Sequence, residues 1–269
     1  MTRPPAKPAG NTGHAFWSAL THAWTFHATG NTSGGADDIK STNHATLSGT
    51  AALSDTVGLD SPATADKATI TNVVMSNGFS VMFRAKLDAV GNNSMVFGKV
   101  ATTDYFWLDS GTNIATYKST TDCSFATTDS NKTSLYDYCL VVYPESASIH
   151  DCKLFIKTAA ASSWTKIEGG SDFASLADRT INTIAAGYSS GLGMQGEVEY
   201  FYIFNGTSFV LSDLDTNFSD PYDIVVASGP VLLDVNSTES LSECSQPAVS
   251  ALFLLAVNST ESLTECSQP

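Results

Sequence analysis

The stretch Phe79-Ser-Val-Met-Phe-Arg-Ala-Lys-Leu87 sets Phe79, Val81, Phe83, Ala85 and Leu87 on one side and Ser80, Arg84 and Lys86 on the other. A period of two held over nine residues marks a strand with one face in a core and the other turned away from it. His22-Ala-Trp-Thr-Phe-His27 repeats the pattern with Trp24 and Phe26. Further short segments of this kind lie at 95–100, 105–108, 114–117, 136–143, 153–157, 164–167, 183–186 and 197–204. Turn chemistry such as Gly91-Asn92-Asn93 and Glu168-Gly-Gly-Ser171 separates several of them. No stretch of comparable length holds a helical period. Strands at this spacing predict an all-β fold, a sandwich or a barrel.

The chain has 269 residues, within reach of one large β domain plus a short appendage. Hydrophobic residues make up 42% and charged residues only 15%, so a sizeable core can form and disorder throughout is excluded. The formal charge is −14, and the 13 basic residues form no run, which argues against nucleic acid as a partner. Residues 1–8 hold three prolines and no apolar stretch follows, so a secretory signal is not expected. The longest apolar run, 249–257, is far short of the roughly 20 residues of a membrane span, and no membrane insertion is expected. Cys123, Cys139, Cys152, Cys244 and Cys266 are odd in number and include no C-x-x-C pair, so thiols are expected rather than zinc or a disulfide framework. The seven N-x-S/T sequons carry no weight without a secretory route.

One short helix is predicted at Ser212-Asp-Leu-Asp-Thr-Asn-Phe218, with Ser212 as cap and Pro221 as stop. Beyond Ser228-Gly-Pro230 the composition changes. Leu232-Leu-Asp-Val-Asn-Ser-Thr-Glu-Ser-Leu-Ser-Glu-Cys-Ser-Gln-Pro247 returns, with two substitutions, as 254–269, a period of 22. About three such units are normally needed to bury a shared apolar face, so two copies predict self-association or docking on a neighbour. The expected organisation is an extended arm at 1–14, a sandwich at 15–228 and the repeats at 229–269.

Several segments, taken in order, resemble the laminin-G-like, concanavalin A-like jelly rolls. Ala23-Trp-Thr-Phe-His-Ala-Thr-Gly30 followed by Asn43-His-Ala-Thr-Leu47 is similar to that family's first strand and turn. Phe79 to Asp88 and Gly196-Glu-Val-Glu-Tyr-Phe-Tyr-Ile-Phe-Asn205 are similar to its central and penultimate strands, and 212–221 to its closing helix. Phe83 departs from a common Trp, and Tyr200 and Tyr202 from a common acid and Arg. The resemblance implies an antiparallel β-sandwich over roughly 15–225. With the Pro-rich start and the repeats it implies a bacteriophage virion setting, as a tail fibre or capsid-associated protein.

Motifs that could carry chemistry read as structure. Gly191-Leu-Gly-Met-Gln-Gly196 has dinucleotide-loop spacing but opens a strand, where no helix terminus can hold a pyrophosphate. Glu197 and Glu199 sit two apart, roughly 6.5–7 Å along a strand, a glycosidase-like spacing. The jelly-roll glucanases in the resemblance carry E-x-D-x-E, whereas Val198 and Phe201 stand at the other acid positions, so no catalytic residue is assigned. Asp213-Leu-Asp-Thr-Asn217 with Asp220 imitates a calcium loop, yet Phe218 replaces its glycine and Ile224 its bidentate Glu. Calcium is the one cofactor the resemblance leaves open, through rim acids for which Asp104, Asp109 and Asp151 are candidates. None of His14, His22, His27, His44 and His150 adjoins a Ser or Cys elbow. Trp24 and Trp107 fall inside strand patterns and read as core, while Trp164, after Ala160-Ala-Ser-Ser163, sits near a polar hairpin tip and is the candidate ligand-binding residue, as a sugar platform. The expected function is a non-catalytic binding module for carbohydrate or a host surface, with structural decoration or assembly as the alternative and glycan hydrolysis as a distant third.

Overall fold

The computed structural model describes residues 3–4, 6–76, 78–89, 94–100, 105–109, 114–118, 122–144, 152–167, 179–186 and 193–226, with backbone alone at 109, 114–118, 122 and 129. Met1–Ala227 form one compact unit and Ser228–Pro269 another. The 22-residue repeats, with Cys244 and Cys266, lie outside the described residues, so the account below concerns the first unit.

The strands are β1 (His22–Thr25), β2 (Gly35–Ala36), β3 (Ala45–Ser48), β4 (Ala52–Ser54), β5 (Gly58–Ser61), β6 (Lys67–Met75), β7 (Phe79–Leu87), β8 (Ser94–Gly98), β9 (Tyr105–Asp109), β10 (Ile114–Lys118), β11 (Asp122–Ala126), β12 (Tyr136–Val142), β13 (Cys152–Thr158), β14 (Thr165–Ile167), β15 (Arg179–Ile184) and β16 (Gly196–Asn205). They pair antiparallel into two eight-stranded sheets. The first runs β14-β13-β12-β7-β16-β5-β4, with β1 also on β16; the second runs β11-β10-β9-β8-β15-β6-β3-β2. The fold is the all-β antiparallel sandwich expected.

The alternation in β7 sets the core. Phe79, Val81, Phe83, Ala85 and Leu87 all enter the cluster between the sheets. Phe83 meets Phe97 and Phe106 of the second sheet edge-on, at 5.8 and 5.5 Å between ring centroids, and stacks on Tyr138 at 5.0 Å. Such pairs add about 0.5–1.5 kcal/mol each beyond their buried area. Trp24 is buried here as expected, its indole N–H donating to the Asn43 carbonyl at 2.9 Å.

The outward side of β7 is not the wet face its polar residues suggest. Ser80, Met82 and Arg84 are buried under a second apolar layer built from Leu20, Phe209, Leu214, Phe218, Tyr222 and Ile224. The chain after β16 supplies most of that cover, through helix α2 (Leu211–Asn217) and a 3-10 turn, Pro221–Ile224. The predicted helix therefore exists but its cap lies two residues earlier: Val210, not Ser212, is the cap, and the Asp213 carboxylate accepts the Val210 N–H at 3.1 Å. An unpredicted helix, α1, precedes it in the chain at Asp129–Thr133, capped by the Thr128 hydroxyl accepting from the Asn131 N–H.

β16 changes neighbours along its length. Gly196, Glu197 and Val198 pair with β5, whereas residues 200–203 pair with β1. Glu199 is the extra residue of a bulge against β7 at this switch. Its carbonyl accepts the Phe26 N–H at 3.2 Å and the Arg3 guanidinium at 2.9 Å, so Arg3 plugs the seam where the partners change.

Candidate functional site

The carboxylates with glycosidase-like spacing are separated by that bulge and occupied. Glu199 accepts from Arg84 Nη1 at 3.1 Å and from the Tyr222 hydroxyl at 2.9 Å. Asp137 takes Arg84 as a two-pronged pair, Nε at 2.7 Å and Nη2 at 3.0 Å, and also accepts the Tyr200 hydroxyl at 2.7 Å and Lys157 Nζ at 3.0 Å. Lys157 further donates to the carbonyls of Ala161 and Ser219. Two cations and two anions thus cancel inside an apolar layer, each hydrogen-bonded, the condition under which buried charge is tolerated. Burial alone would lower the Arg84 pKa, but Asp137 outweighs it and holds the guanidinium protonated well above its ordinary range. Glu197 pairs with Lys86 at 3.0 Å, and burial raises its carboxyl above the ordinary value despite that partner.

The calcium-like run is consumed locally. Asp213 holds the Val210 N–H and Asp215 accepts the Trp164 N–H at 2.7 Å. Among the described residues no three His, Cys, Asp or Glu converge. Asp104, Asp151 and the Asp109 side chain lie outside the described residues, as does His150.

The structure does bring a histidine to a serine, which the sequence spacing did not suggest. His22 Nδ1 lies 2.7 Å from Asp38 and 3.0 Å from the Ser41 hydroxyl, which is itself 2.5 Å from Asp38. A nucleophile would face the other ring nitrogen from the carboxylate. Here Ser41 and Asp38 share one nitrogen, and Asp38 Oδ1 gathers the N–H groups of Ala23, Lys40 and Ser41 into a turn.

Trp164 follows the polar hairpin as expected but turns inward. It is 4% exposed, its indole N–H donates to the Phe218 carbonyl at 3.0 Å, and Lys157 Nζ stands 5.5 Å from its ring. The platform sought at Trp164 is packed in protein, because the cover of the first sheet runs over it.

The outward face of the second sheet differs. Phe106 and Leu108 enter the core, so Trp107 between them points out, correcting its reading as core. Its register partner Met95 is buried, Tyr105 lies 6.3 Å away between ring centroids, and Trp107 itself is half-buried. Its indole N–H is buried and has no acceptor among the described residues. The same face continues as threonines in register: Thr46 opposite Thr69, Thr69 opposite Thr183. Thr183 is buried and donates to the Gly98 carbonyl at 3.0 Å, while Thr69, Thr71, Asn72 and Val74 on β6 are exposed. Asn182 accepts the Val100 N–H and donates to Asn72. The outward residues named here carry no charge. Phe-Trp-Leu has no polar alternation, so sequence could not tell which side Trp107 takes.

No family model and no curated protein matches the chain. Among solved structures it is similar to domain 4 of AbnA, a GH43 extracellular arabinanase from Geobacillus stearothermophilus, in complex with arabinotriose: 13% identity and a TM-score of 0.53 over 73% of this chain and 96% of that one. It is also similar to Trypanosoma rangeli sialidase in complex with 2,3-difluorosialic acid, at 9% identity and a TM-score of 0.54 over 78% of this chain. The aligned part spans 34% of that sialidase chain. At these identities the likeness shows the fold, a β-sandwich.

Proposed function

We propose that this chain is a non-catalytic glycan-binding module that presents the outward face of its second sheet to a neutral sugar chain. The observation that carries the reading is Trp107, a half-buried aromatic ring on that face. A sugar ring stacked on the indole face would cover its apolar area, and Thr69, Thr71 and Asn72 on β6, three strands away, continue the face with neutral hydrogen-bonding groups. The formal charge of −14 favours neutral glycans over polyanions. The non-catalytic reading is supported by where the carboxylates are spent, Glu199 on Arg84 and Tyr222 and Glu197 on Lys86. The arabinotriose bound to the similar arabinanase domain supports the ligand class.

A glycan array probed with the wild type and with Trp107→Ala, each with and without calcium, is the test. Binding of neutral oligosaccharides that falls at least tenfold in Trp107→Ala is the expected result; binding untouched by that change, or none, overturns the reading. From the resemblance we also propose that the module works on a virion, at a host surface, and that the 22-residue repeats self-associate. Mass spectrometry of purified particles tests the first, and light scattering of a chain truncated after Ser228 tests the second.

A further inference from the structure

At the edge of the second sheet, where β2 meets β3, a cavity of about 160 Å³ opens among Thr32, Gly34, Gly35, Asp37, His44 and Thr46. That is several times the space one water needs. Its wall is backbone by necessity. A Cβ on Gly35 would stand 2.1 Å from the Ala45 carbonyl, and Gly34 holds φ +81°, a conformation that side chains disfavour.

Two side chains give the cavity its chemistry. Asp37 receives Lys7 Nζ at 2.6 Å on one oxygen and the Thr32 hydroxyl at 2.6 Å on the other. Burial raises its pKa, but those bonds outweigh it and hold the carboxyl below the usual carboxylate range. A carboxylate offers about four acceptor positions, so Asp37 keeps capacity for incoming hydroxyls. His44, whose side chain is 53% exposed, accepts the Asp38 N–H on Nδ1 at 3.1 Å. In the neutral ring that places the proton on Nε2, as a donor. Asp37 thus offers an acceptor and the exposed His44 ring a donor, its Nδ1 3.5 Å from Asp37, with the exposed Thr46 also lining the cavity.

The ligand class follows by comparing what each alternative needs. A phosphate or carboxylate needs an uncommitted cation, and Lys7 is already paired with Asp37. A divalent cation needs several convergent oxygens, and no such group is present among the described residues. An apolar ligand would leave Asp37, His44 and the Thr32 and Thr46 hydroxyls facing it without partners. A small neutral polyol satisfies the site. Thr46 both lines the cavity and begins the threonine row shared with Thr69 and Thr183. Four strand spacings of about 4.8 Å separate β9 from β3, roughly 19 Å across the sheet.

We infer that this cavity takes the terminal residue of the glycan whose chain crosses the second sheet, with Asp37 and the Nε2–H of His44 bound to its vicinal hydroxyls. This rests on the glycan-binding reading above, and it makes the protein a reader of chain ends several residues long.

The test is amide and indole NMR of the full chain, titrated with free arabinose, galactose, glucose and mannose and then with their oligosaccharides. At least one monosaccharide shifts the amides of Gly34, Gly35 and Thr46 without moving the Trp107 indole, and its affinity falls at least tenfold in Asp37→Asn and in Thr46→Ala. The Thr46 variant guards against a loosened Lys7 contact in the Asp37 one. No shift at these amides with any sugar, or a shift that survives both variants, overturns the inference. Oligosaccharides that move the Trp107 indole and leave the cavity amides still would sink the cavity and keep the sheet-face reading. Cavity shifts with an indole that no oligosaccharide moves would do the reverse.

Discussion

On the first sheet, the outward residues Ser80, Met82 and Arg84 of β7 and Tyr200, Tyr202 and Phe204 of β16 are all buried; on the second, Thr69, Thr71 and Val74 of β6 are all exposed. Both faces belong to strands whose other side fills the same core. The difference lies in what the rest of the chain supplies. Residues 209–225 bring Phe209, Leu214, Phe218, Tyr222 and Ile224 over the first sheet and make a second core there. Once covered, that face could keep charge only by closing it into the Arg84, Asp137, Lys157 and Glu199 network. β6, left in water, carries Lys67, hydroxyls and an amide on that side, with no such network needed. Among the described residues the second apolar layer lies on the first sheet, while the outward side of β6 on the second is exposed.

The strongest way to break this contrast is to open the network. Arg84→Met leaves Asp137 and Glu199 buried without their shared partner, and stability is expected to fall by about 3–5 kcal/mol. Urea unfolding measures it. A loss below about 1 kcal/mol would mean that water enters the layer and that the first sheet is not closed.

A milder change on the same face is Val141→Thr. Val141 is 0% exposed within the second apolar layer, and its replacement puts a hydroxyl where no water reaches. The expected loss is about 1–3 kcal/mol, read from the same unfolding curves.

How much of this was legible follows from where the signals sit. β7 was plain because nine residues alternate without a break. β6 was passed over: its inward residues run Ala68, Ile70, Val73, Met75, and the step of three at Asn72 spoils the period. That irregularity appears in the register as a shift between Ile181 and Thr183 of β15. β2 to β5 are two to four residues long, too short for a period to show. Arg84 looked solvated because the groups that bury it lie 53 to 138 positions away, although Phe209, Leu214, Phe218 and Tyr222, spaced by four or five, were an apolar stripe in plain view. The candidate site was the least legible. Trp164 turns inward and Trp107 outward, and hairpin proximity says nothing of which way an indole turns.

The arm that closes the seam gives a pH effect. His27 is buried, its Nε2 lies 2.7 Å from the Pro4 carbonyl, and Arg3 stands nearby. Burial first, then Arg3, lowers its pKa from 6.5. The unfolded chain therefore binds the proton first, so the stability from the neutral ring is present above pH 6.5 and is lost as pH falls toward the folded value. Melting temperature is expected to drop between pH 7 and 5, and less steeply in His27→Gln. Equal slopes for the two proteins would remove His27 from the seam.

The smallest effect makes the sharpest comparison. Val74→Thr is the same chemical change as Val141→Thr, made at a valine 48% exposed on the outward side of β6. Its hydroxyl meets water, so nothing is left unsatisfied, and threonine keeps the β-branch that suits a strand. The change is expected to stay within about 0.5 kcal/mol. Because the two substitutions share their side chains, the difference between them isolates cover from strand propensity. If Val74→Thr costs as much as Val141→Thr, the second sheet is covered in solution and cannot serve as the glycan face. If it is neutral for folding, Val74→Thr can be carried to the glycan array, where a change in binding would place β6 beside Trp107 in the contact.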